Sequence, residues 1–471
     1  MSAVPESQIP WPGLLGTSLP GEQDYRPRVE GRLPDNVRGS LYRNGPGLFE
    51  RGGIRKRHLL DGDGLIQALH LDGADIRYLA KFVRTEKFTA EEEAGRYLYP
   101  TWSTLAPGTF KKNLGGRFKP QAGVTVVARK DALLAFDDVG YPYELDAVDL
   151  KTRGKAPTSP VGLRSFNAHS RFDGRSGEWW QFGLAFGRHT QLNVCAHDQS
   201  GKPLRRFSID TKRSTYLHDF FITERFVVFN LHAVKFNPAR MLAGLKSFIE
   251  CLKWEPRLGN EILVADRQSG DVVARVEAPP SFMWHGLNAF DAGNELVVDF
   301  VGYDQPDHFI GNNPEFVSIM SGRIGDAQFA GKVRRLVVNL RDKRATEEIL
   351  ADQYHEFPMV PPSEVGYRHR FGYFTQGNVA GTNLQDALVR IDCENGDMSS
   401  YCFGDGYQVG EPVLINDGEW LITQVLDGRE RRSFFAVLRG DALPDGPVCK
   451  ILLDHHVPIS FHGCWQGRRP D

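Results

Sequence analysis

The feature of this sequence that most constrains its fold is a repeated hairpin pattern. In residues 192–209, 262–276 and 388–403, an apolar run ends in Asp, a turn closes on Gly, and a second run follows. Asp and Gly are favoured in turns, and short apolar runs bounded by turn residues are typical of β-strands. The pattern predicts antiparallel hairpins that are used several times along the chain.

The number and spacing of these hairpins favour a β-propeller. No long amphipathic helices alternate with the strands, which argues against a βαβ sheet and for a sandwich, barrel or propeller. A four-stranded blade needs roughly 40–50 residues, so several blades would account for all 471 residues. No linker-like tract divides the sequence. We therefore expect one domain over residues 1–471, with residues 1–35 as an N-terminal extension.

One stretch, residues 238–253, has the periodicity of a helix. Its apolar side chains recur at spacings of three and four, and Arg240, Lys246 and Lys253 lie on other faces. A helix packed on the core is one interpretation, because amphipathic stripes usually face a core. The other is a helix on a membrane surface, since basic residues beside an apolar face suit anionic headgroups. Residues 236–256 are thus a candidate membrane-contacting segment.

Charge and cysteine content narrow the function class and the compartment. The 57 Lys and Arg residues nearly balance 59 Asp and Glu residues, which argues against a nucleic-acid binder. The six cysteines lie far apart without a CxxC pair, which argues against a zinc ribbon, a redox dithiol or a disulfide framework. The N-terminus lacks the basic and apolar parts of a signal peptide. We therefore expect a cytoplasmic protein.

Histidine is the residue type on which the remaining chemistry depends. The sequence has no P-loop, GxGxxG or GxSxG motif, which disfavours phosphate cradling and nucleophile-elbow chemistry. It has fourteen histidines but no HExxH pair. Spacing alone does not select a metal site among them, because a lone histidine in a β protein is more often structural or exposed than a ligand.

Local motifs resemble those of the carotenoid cleavage oxygenase family over nearly the whole chain. Two N-terminal motifs carry the likeness, GSLYRNGPG at residues 39–47 and HLLDGDG at residues 58–64. Four histidines follow in the expected surroundings: His169 in NAHS, His218 in HDFFITE, His285 in WHGLNAF and His462 in FHGCW. The resemblance implies an all-β, seven-bladed propeller with a cap of loops and helices over the metal face. It also implies one Fe(II) per chain, bound by these four imidazoles from separate blades.

The resemblance further implies acidic residues that accept a hydrogen bond from the second ring nitrogen of the ligands. Such acceptors fix the tautomer and orientation of a metal-bound imidazole. In the family three Glu residues serve three of the four ligands, and Glu356 and Glu411 match two of them. The third position holds Asp138, whose side chain is one methylene shorter. The alternative is that Asp138 is only a turn residue.

The activity implied by the resemblance is cleavage of one C=C bond by O2 to give two carbonyl products. No catalytic residue beyond the metal ligands is required. Family members that cleave stilbenes or isoeugenol use a Tyr and a Lys to hold a phenol, but this sequence has Trp102 and Ala132 near those places. The likeness is nearer to bacterial apocarotenoid oxygenases, through residues 81–85 and 454–458. Those enzymes cut the central 15,15' bond and give retinal.

The substrate class sets two further expectations. Tyr216, Trp284 and Trp102 should line a tunnel beside the iron, with core packing as the alternative. Because a long polyene is stored in membranes, residues 236–256 and 102–114 are expected to form a tunnel mouth on lipid, as a peripheral membrane contact. A stilbene or phenylpropenoid dioxygenase and a non-catalytic binding scaffold are the competing functions.

Overall fold

Antiparallel β-sheet is the main regular structure of this protein. The computed structural model describes residues 9–116, 118–129, 131–138, 140–156, 165–311, 314–323, 328–378 and 384–468. Within these residues, seven sheets of four or more strands are arranged as the blades of a propeller, as expected. We number the blades 1 to 7 in the order in which the chain builds them.

The strands of each blade are given from the central axis outward. Blade 1 contains His462–Gly467, Gly39–Leu48, Asp63–Asp72, Asp75–Phe82 and Gln23–Tyr25; blade 2 contains Thr125–Arg129, Ala132–Phe136, Tyr143–Asp146 and Thr152–Lys155; blade 3 contains Ser170–Phe172, Trp179–Phe186, Thr190–His197 and Pro203–Asp210; blade 4 contains Phe221–Ile222, Phe226–Leu231, Asn260–Asp266 and Val272–Ala278. Blade 5 contains Phe282–Ala292, Glu295–Tyr303, Lys332–Asn339 and Arg344–Ala351; blade 6 contains Tyr354–Met359, Phe371–Gly377, Ala387–Asp392 and Met398–Cys402; blade 7 contains Tyr407–Val409 with Val413–Ile415, Trp420–Asp427, Arg432–Arg439, Cys449–Leu452 and Arg28–Gly31.

Short elements connect and cover the blades. The two remaining sheets pair Glu50–Arg51 with Ile54–Arg55 and Val234–Phe236 with Leu252–Trp254. The α-helices of the described residues are Glu86–Ala94, Ala239–Leu242 and Glu315–Met320. The 3-10 helices are Trp11–Gly16, Leu59–Asp61, Phe110–Lys112, Ile249–Cys251, Pro256–Leu258, Pro362–Glu364, Asn416–Gly418 and Leu443–Asp445. None of the helices in the described ranges is long and apolar enough to cross a membrane.

The three predicted hairpins are confirmed, and their turns share one design. In blade 4, Gln268 N and Ser269 N donate to Oδ1 of Asp266, and Gly270 N donates to the Asp266 carbonyl. Gly270 has φ of +80°, a left-handed conformation that glycine adopts without a steric penalty. Blades 3 and 6 repeat the turn at Asp198 and Asp392. Local side-chain chemistry therefore sets the register of these strands.

The ring is closed by strands from distant parts of the sequence. The inner strand of blade 1, His462–Gly467, pairs with Gly39–Leu48. The outer strand of blade 7, Arg28–Gly31, pairs with Cys449–Leu452. Two separate sheets thus join early residues to late ones, which holds the two ends of the chain together and closes the ring.

Apolar side chains packed between neighbouring blades form the core. Between blades 4 and 5, for example, Val264, Val298 and Leu336 are fully or almost fully buried in one cluster. Each such side chain contributes roughly 1.5–3 kcal/mol by its burial. The packing holds adjacent blades at a fixed angle, and so fixes the residues that point toward the axis.

The continuous helix predicted over residues 238–253 is wrong. The α-helix covers only Ala239–Leu242, and a 3-10 turn follows at Ile249–Cys251. The chain turns at Gly244, which has φ of +70° and approaches a neighbouring loop so closely that a Cβ would lie 2.5 Å from the Phe110 carbonyl oxygen. This tertiary contact outweighs the helical periodicity of the segment.

Candidate metal centre

The four histidines of the sequence analysis meet where the inner strands approach the axis. His169 immediately precedes Ser170–Phe172 of blade 3, and His218 lies three residues before Phe221–Ile222 of blade 4. His285 lies within Phe282–Ala292 of blade 5, and His462 begins His462–Gly467 of blade 1. Four different blades therefore supply one imidazole each to the same point.

The imidazoles form one tight group. Their potential ligand nitrogens all lie within 4.8 Å of one another, and all four residues are buried. Nε2 of His169 and Nε2 of His218 are 3.0 Å apart. Such spacings suit nitrogen ligands of a single first-row metal ion, for which imidazole is a suitable donor.

Acidic side chains from the other three blades contact three of these imidazoles. Asp138 Oδ2 lies 2.6 Å from Nδ1 of His218, and Glu356 Oε2 lies 2.6 Å from Nδ1 of His285. Glu411 Oε1 lies 2.8 Å from Nδ1 of His462. With Nδ1 bonded to a carboxylate, each ring directs Nε2 toward the centre of the group.

Among the residues that the structure describes, none provides such a carboxylate partner for His169. Its Nδ1 is 3.9 Å from Oδ1 of Asp219, which is too long for a hydrogen bond. Asp219 instead accepts bonds from the guanidinium of Arg171 and the backbone nitrogens of Phe220 and Gly286. In the described residues, carboxylates thus contact three of the four imidazoles, and His169 is the ligand without a direct acidic partner.

Burial and neighbouring charges set the protonation of the group. Burial, with the neighbouring imidazoles, holds the pKa of His169 and of His285 well below the usual value. Burial also lowers the pKa of His218, but the Asp138 carboxylate outweighs it and the net pKa is raised. Burial raises the pKa of Glu411, yet His462 and Arg43 reverse this and leave it lowered. The low pKa values of His169 and His285 keep these two rings neutral, which is the form in which an imidazole nitrogen binds a metal ion.

The residues present fit an Fe(II) ion. Nε2 of His285 is buried and has no hydrogen-bond partner among the described residues, as expected for a nitrogen reserved for a metal. Four neutral imidazoles on a six-coordinate metal leave positions for O2. His169, His218, His285 and His462 are thus the residues that would hold the iron.

Comparison with known proteins assigns the family. The model of the retinal pigment epithelial membrane protein family matches residues 17–467. The chain belongs to this family of carotenoid oxygenases. Among curated relatives, apocarotenoid-15,15'-oxygenase of Synechocystis is 27% identical over 468 residues, which cover 95% of this chain and 94% of that protein. Isoeugenol monooxygenase of Pseudomonas nitroreducens is 26% identical over 487 residues, which cover 97% of this chain and 98% of that protein.

Solved structures of carotenoid oxygenases have the same fold. The crystal structure of a cobalt-substituted Synechocystis apocarotenoid oxygenase has a TM-score of 0.90 and 26% sequence identity, and covers 97% of this chain and 98% of that one. The expected family, fold and four-histidine metal site are therefore confirmed, and, like these oxygenases, the chain is an oxidoreductase.

A narrow apolar cavity, which we call the metal cavity, adjoins the histidines. Its volume is about 80 Å³, and His218, His285 and His462 form part of its wall. Trp102 and Trp284 line it, as predicted for a tunnel, and the capping segments at Leu60 and Phe316 close it from above. The cavity places an apolar ligand directly beside the metal centre.

Tyr216 does not line this cavity. Its side chain is fully buried, and its hydroxyl donates to Oδ2 of Asp138. Trp102 contacts the Tyr216 ring edge to face at a centroid distance of 6.1 Å. The tunnel position predicted for Tyr216 is therefore corrected: the side chain supports Asp138 from behind the wall.

Trp102 separates the metal cavity from a second apolar pocket, which we call the outer pocket. The outer pocket has a volume of about 200 Å³ and is also lined by Phe118, Phe186, Met241 and Phe248. Phe248 contacts Trp102 edge to face at 5.1 Å. The segment around residues 241–248 therefore forms the outer side of the wall that Trp102 completes.

On the other side of the histidines, a larger and more polar pocket opens along the propeller axis. It measures about 770 Å³ and reaches His169, His285 and His462. Phe357 lies in the wall of both this pocket and the metal cavity, and stacks on His285 at 5.4 Å. Its backbone φ of +50° is in the left-handed region, a strained state for Phe that clusters at functional sites. Sequence inspection missed Phe357, because its conformation has no signature in residue type.

A second group of potential metal ligands lies elsewhere in the described residues, but its carboxylate is already bound in an ion pair. Asp299, His369 and Cys393 are buried together, but Arg335 donates to both carboxylate oxygens of Asp299, at 2.8 and 2.7 Å. Arg335 also donates to the Cys393 carbonyl at 2.8 Å. These contacts join blade 5 to blade 6 and leave no free carboxylate for a cation.

Proposed function

We propose that this protein is a non-haem Fe(II) dioxygenase that cleaves the central 15,15' bond of an apocarotenoid with O2, giving retinal and a second carbonyl product. The observation that carries the proposal is the metal cavity, whose apolar wall runs directly onto three of the four histidines. A polyene chain is apolar throughout and matches the apolar wall of this cavity.

The bound iron would supply the binding and activation of O2 beside the alkene. The protein's own residues perform the other tasks. Trp102, Trp284 and Phe357 hold the chain by contact and exclude water from it. Asp138, Glu356 and Glu411 keep three imidazoles in one tautomer and orientation. No separate general acid or base is needed for this reaction.

The competing substrate is a phenolic alkene such as a stilbene or phenylpropenoid. One of the relatives above is an isoeugenol monooxygenase. In this chain, however, Trp102 brings an indole rather than a phenol to the cavity wall. Ala132 begins the strand Ala132–Phe136 and is not among the residues that line the cavity. Trp102 therefore favours a hydrocarbon chain over a phenol.

We further propose that the protein is cytoplasmic and rests on a membrane surface to collect its substrate. Four large apolar side chains beside the outer pocket are exposed: Phe110, Leu114, Leu242 and Leu245, at 54%, 47%, 50% and 60%. The two segments that carry them are joined by a bond from Gly115 N to the Leu242 carbonyl. Lys111, Lys112, Arg240 and Lys246 accompany them. An apolar patch ringed by basic residues suits an anionic lipid surface.

A product assay tests the proposed reaction. Iron-loaded protein is incubated in air with either an 8'-apocarotenal or resveratrol, and the aldehydes are identified by mass spectrometry. We expect retinal from the apocarotenal. Substituted benzaldehydes alone would favour the phenolic alkenes, and a protein that purifies without stoichiometric iron and is unchanged by His285→Ala would be a binding scaffold.

A further inference from the structure

The metal cavity has a polar side that neither the ligands nor their carboxylates account for. Besides the metal centre, its wall includes His308, Glu315, Tyr354, Gln385 and Gln408. These residues belong to blades 6 and 7 and to the capping segment between the second and third strands of blade 5. A pure hydrocarbon could not form hydrogen bonds with these polar side chains.

The tautomer of His308 is fixed by Trp284. The indole Nε1 of Trp284 lies 2.7 Å from Nε2 of His308. An indole N–H can only donate, so Nε2 must accept and the ring proton must be on Nδ1. Burial lowers the pKa of His308 to about 3, so the ring is neutral and Nδ1–H is a fixed donor at physiological pH.

This donor has no partner among the residues that the structure describes. His308 is 1% exposed, and an unsatisfied buried donor costs about 1–3 kcal/mol. Acceptors on the neighbouring polar side chains are used elsewhere: Glu356 accepts from Tyr303, the Tyr354 hydroxyl from Gln385, and Gln385 Oε1 from Gln408. Nδ1–H of His308 is therefore available for an acceptor that the ligand brings.

We propose that His308 donates a hydrogen bond to the carbonyl oxygen at the end of the substrate chain, and so determines which double bond lies at the metal. The inference rests on the proposed function, because it concerns how the same cavity holds an apocarotenal. A carbonyl oxygen accepts and does not donate, which matches a lone N–H donor.

The position of His308 relative to the metal centre is rigid. Trp284 packs edge to face on His218 at 4.8 Å and lies 6.3 Å from His308, and Tyr303 packs on His308 at 4.3 Å. A conjugated polyene is stiff, so a carbonyl anchored at His308 places a bond at a fixed count of carbons over the histidines. The cleavage site is then measured from the oxygenated end of the substrate.

The test compares His308→Leu, which removes the donor, with His308→Gln, which keeps an N–H. His232→Leu is the matched control. His232 is also buried, with burial lowering its pKa to about 3, and packs on Phe282, but it does not line the metal cavity. Iron-loaded proteins are mixed with an apocarotenal without O2, and the Raman C=O stretch of the bound aldehyde is recorded.

The wild type, His308→Gln and His232→Leu should give a C=O frequency below that of the aldehyde in dry hexane. His308→Leu should give the hexane value. In air, His308→Leu should raise KM about threefold to tenfold for the aldehyde, with no change for the matched hydrocarbon, and should give mixed cleavage positions.

A carbonyl frequency in the wild type equal to that in hexane would overturn the inference. This measurement uses the wild-type protein alone, so it does not depend on whether a variant folds. So would an unchanged frequency in His308→Leu with normal cleavage, which would leave the proposed function standing. A wild-type enzyme that neither binds nor cleaves any polyene would refute the proposed function, and this inference with it.

Discussion

Asp138 accepts two hydrogen bonds on one carboxylate oxygen, from Nδ1 of His218 at 2.6 Å and from the hydroxyl of Tyr216. Its other oxygen accepts a bond from Ala168 N at 3.2 Å. Although Asp is shorter than the Glu that the family pattern leads one to expect, its carboxylate reaches the imidazole.

The first prediction concerns this contact. Asp138→Asn removes the negative charge that orients His218, and should weaken iron binding roughly 10- to 100-fold. Iron retained after dialysis against a graded series of chelators measures the effect. Asp138→Glu should retain iron, and Asp405→Asn, at an exposed site, should behave as wild type. Full iron retention in Asp138→Asn would mean that the carboxylate does not orient the ligand.

The second prediction concerns the neighbouring Asp137, which is buried and accepts bonds from Gln121 N and Asp138 N. Burial raises its pKa to about 6, against about 3.9 in an unfolded chain. The folded state therefore favours the protonated acid. Protonated Asp137 therefore makes its full contribution to the free energy of unfolding below about pH 4. This contribution is lost as the pH rises through 6.

Asp137→Asn should accordingly stabilise the protein at pH 8, by up to about 3 kcal/mol less any lost hydrogen bond. The gain should shrink toward pH 4. Thermal unfolding of both proteins across this range checks the sign. A difference that is constant with pH would show that Asp137 is ionised equally in the folded and unfolded chains.

The third prediction concerns Trp102. Trp102→Ala should join the metal cavity to the outer pocket and cost about 3–5 kcal/mol of stability. Substrates with bulky end groups should gain in kcat/KM relative to slender ones, because the wall no longer limits width. Trp102→Phe is the control and should keep the wild-type preference. An unchanged preference in Trp102→Ala would place the substrate path elsewhere.

The fourth prediction concerns the exposed apolar patch. Leu242→Ser combined with Leu245→Ser should abolish flotation with anionic vesicles while leaving the fold intact, since both side chains are at least half exposed. The matched control is Leu204→Ser with Val273→Ser, two exposed residues on the outer strands of blades 3 and 4. Equal flotation of both double variants would argue against this patch as the lipid contact.

Local chemistry explains which parts of this structure could be predicted from the sequence. The Asp198, Asp266 and Asp392 turns depend on neighbouring residues only, so the pattern alone predicts them. The four ligands follow from motifs that the chain shares with its family. The break at Gly244 depends instead on the distant Phe110 carbonyl.

Other features of the site depend on long-range contacts that residue types do not reveal. Tyr216 was expected to line the tunnel because it lies two residues before a ligand, but the partner that turns it away is Asp138, 78 positions earlier. His308 becomes distinctive only because Trp284 fixes its tautomer. Such contacts require the folded chain.

The pairing of His462–Gly467 with Gly39–Leu48 also sets an order of events in time. During synthesis, His169, His218 and His285 leave the ribosome long before His462, and closing so long a loop is a late and slow step. The nascent chain can present only three imidazoles until its last strand completes blade 1. Acquisition of a tightly held metal therefore marks the completion of the ring, and a chain arrested before that strand would release its iron.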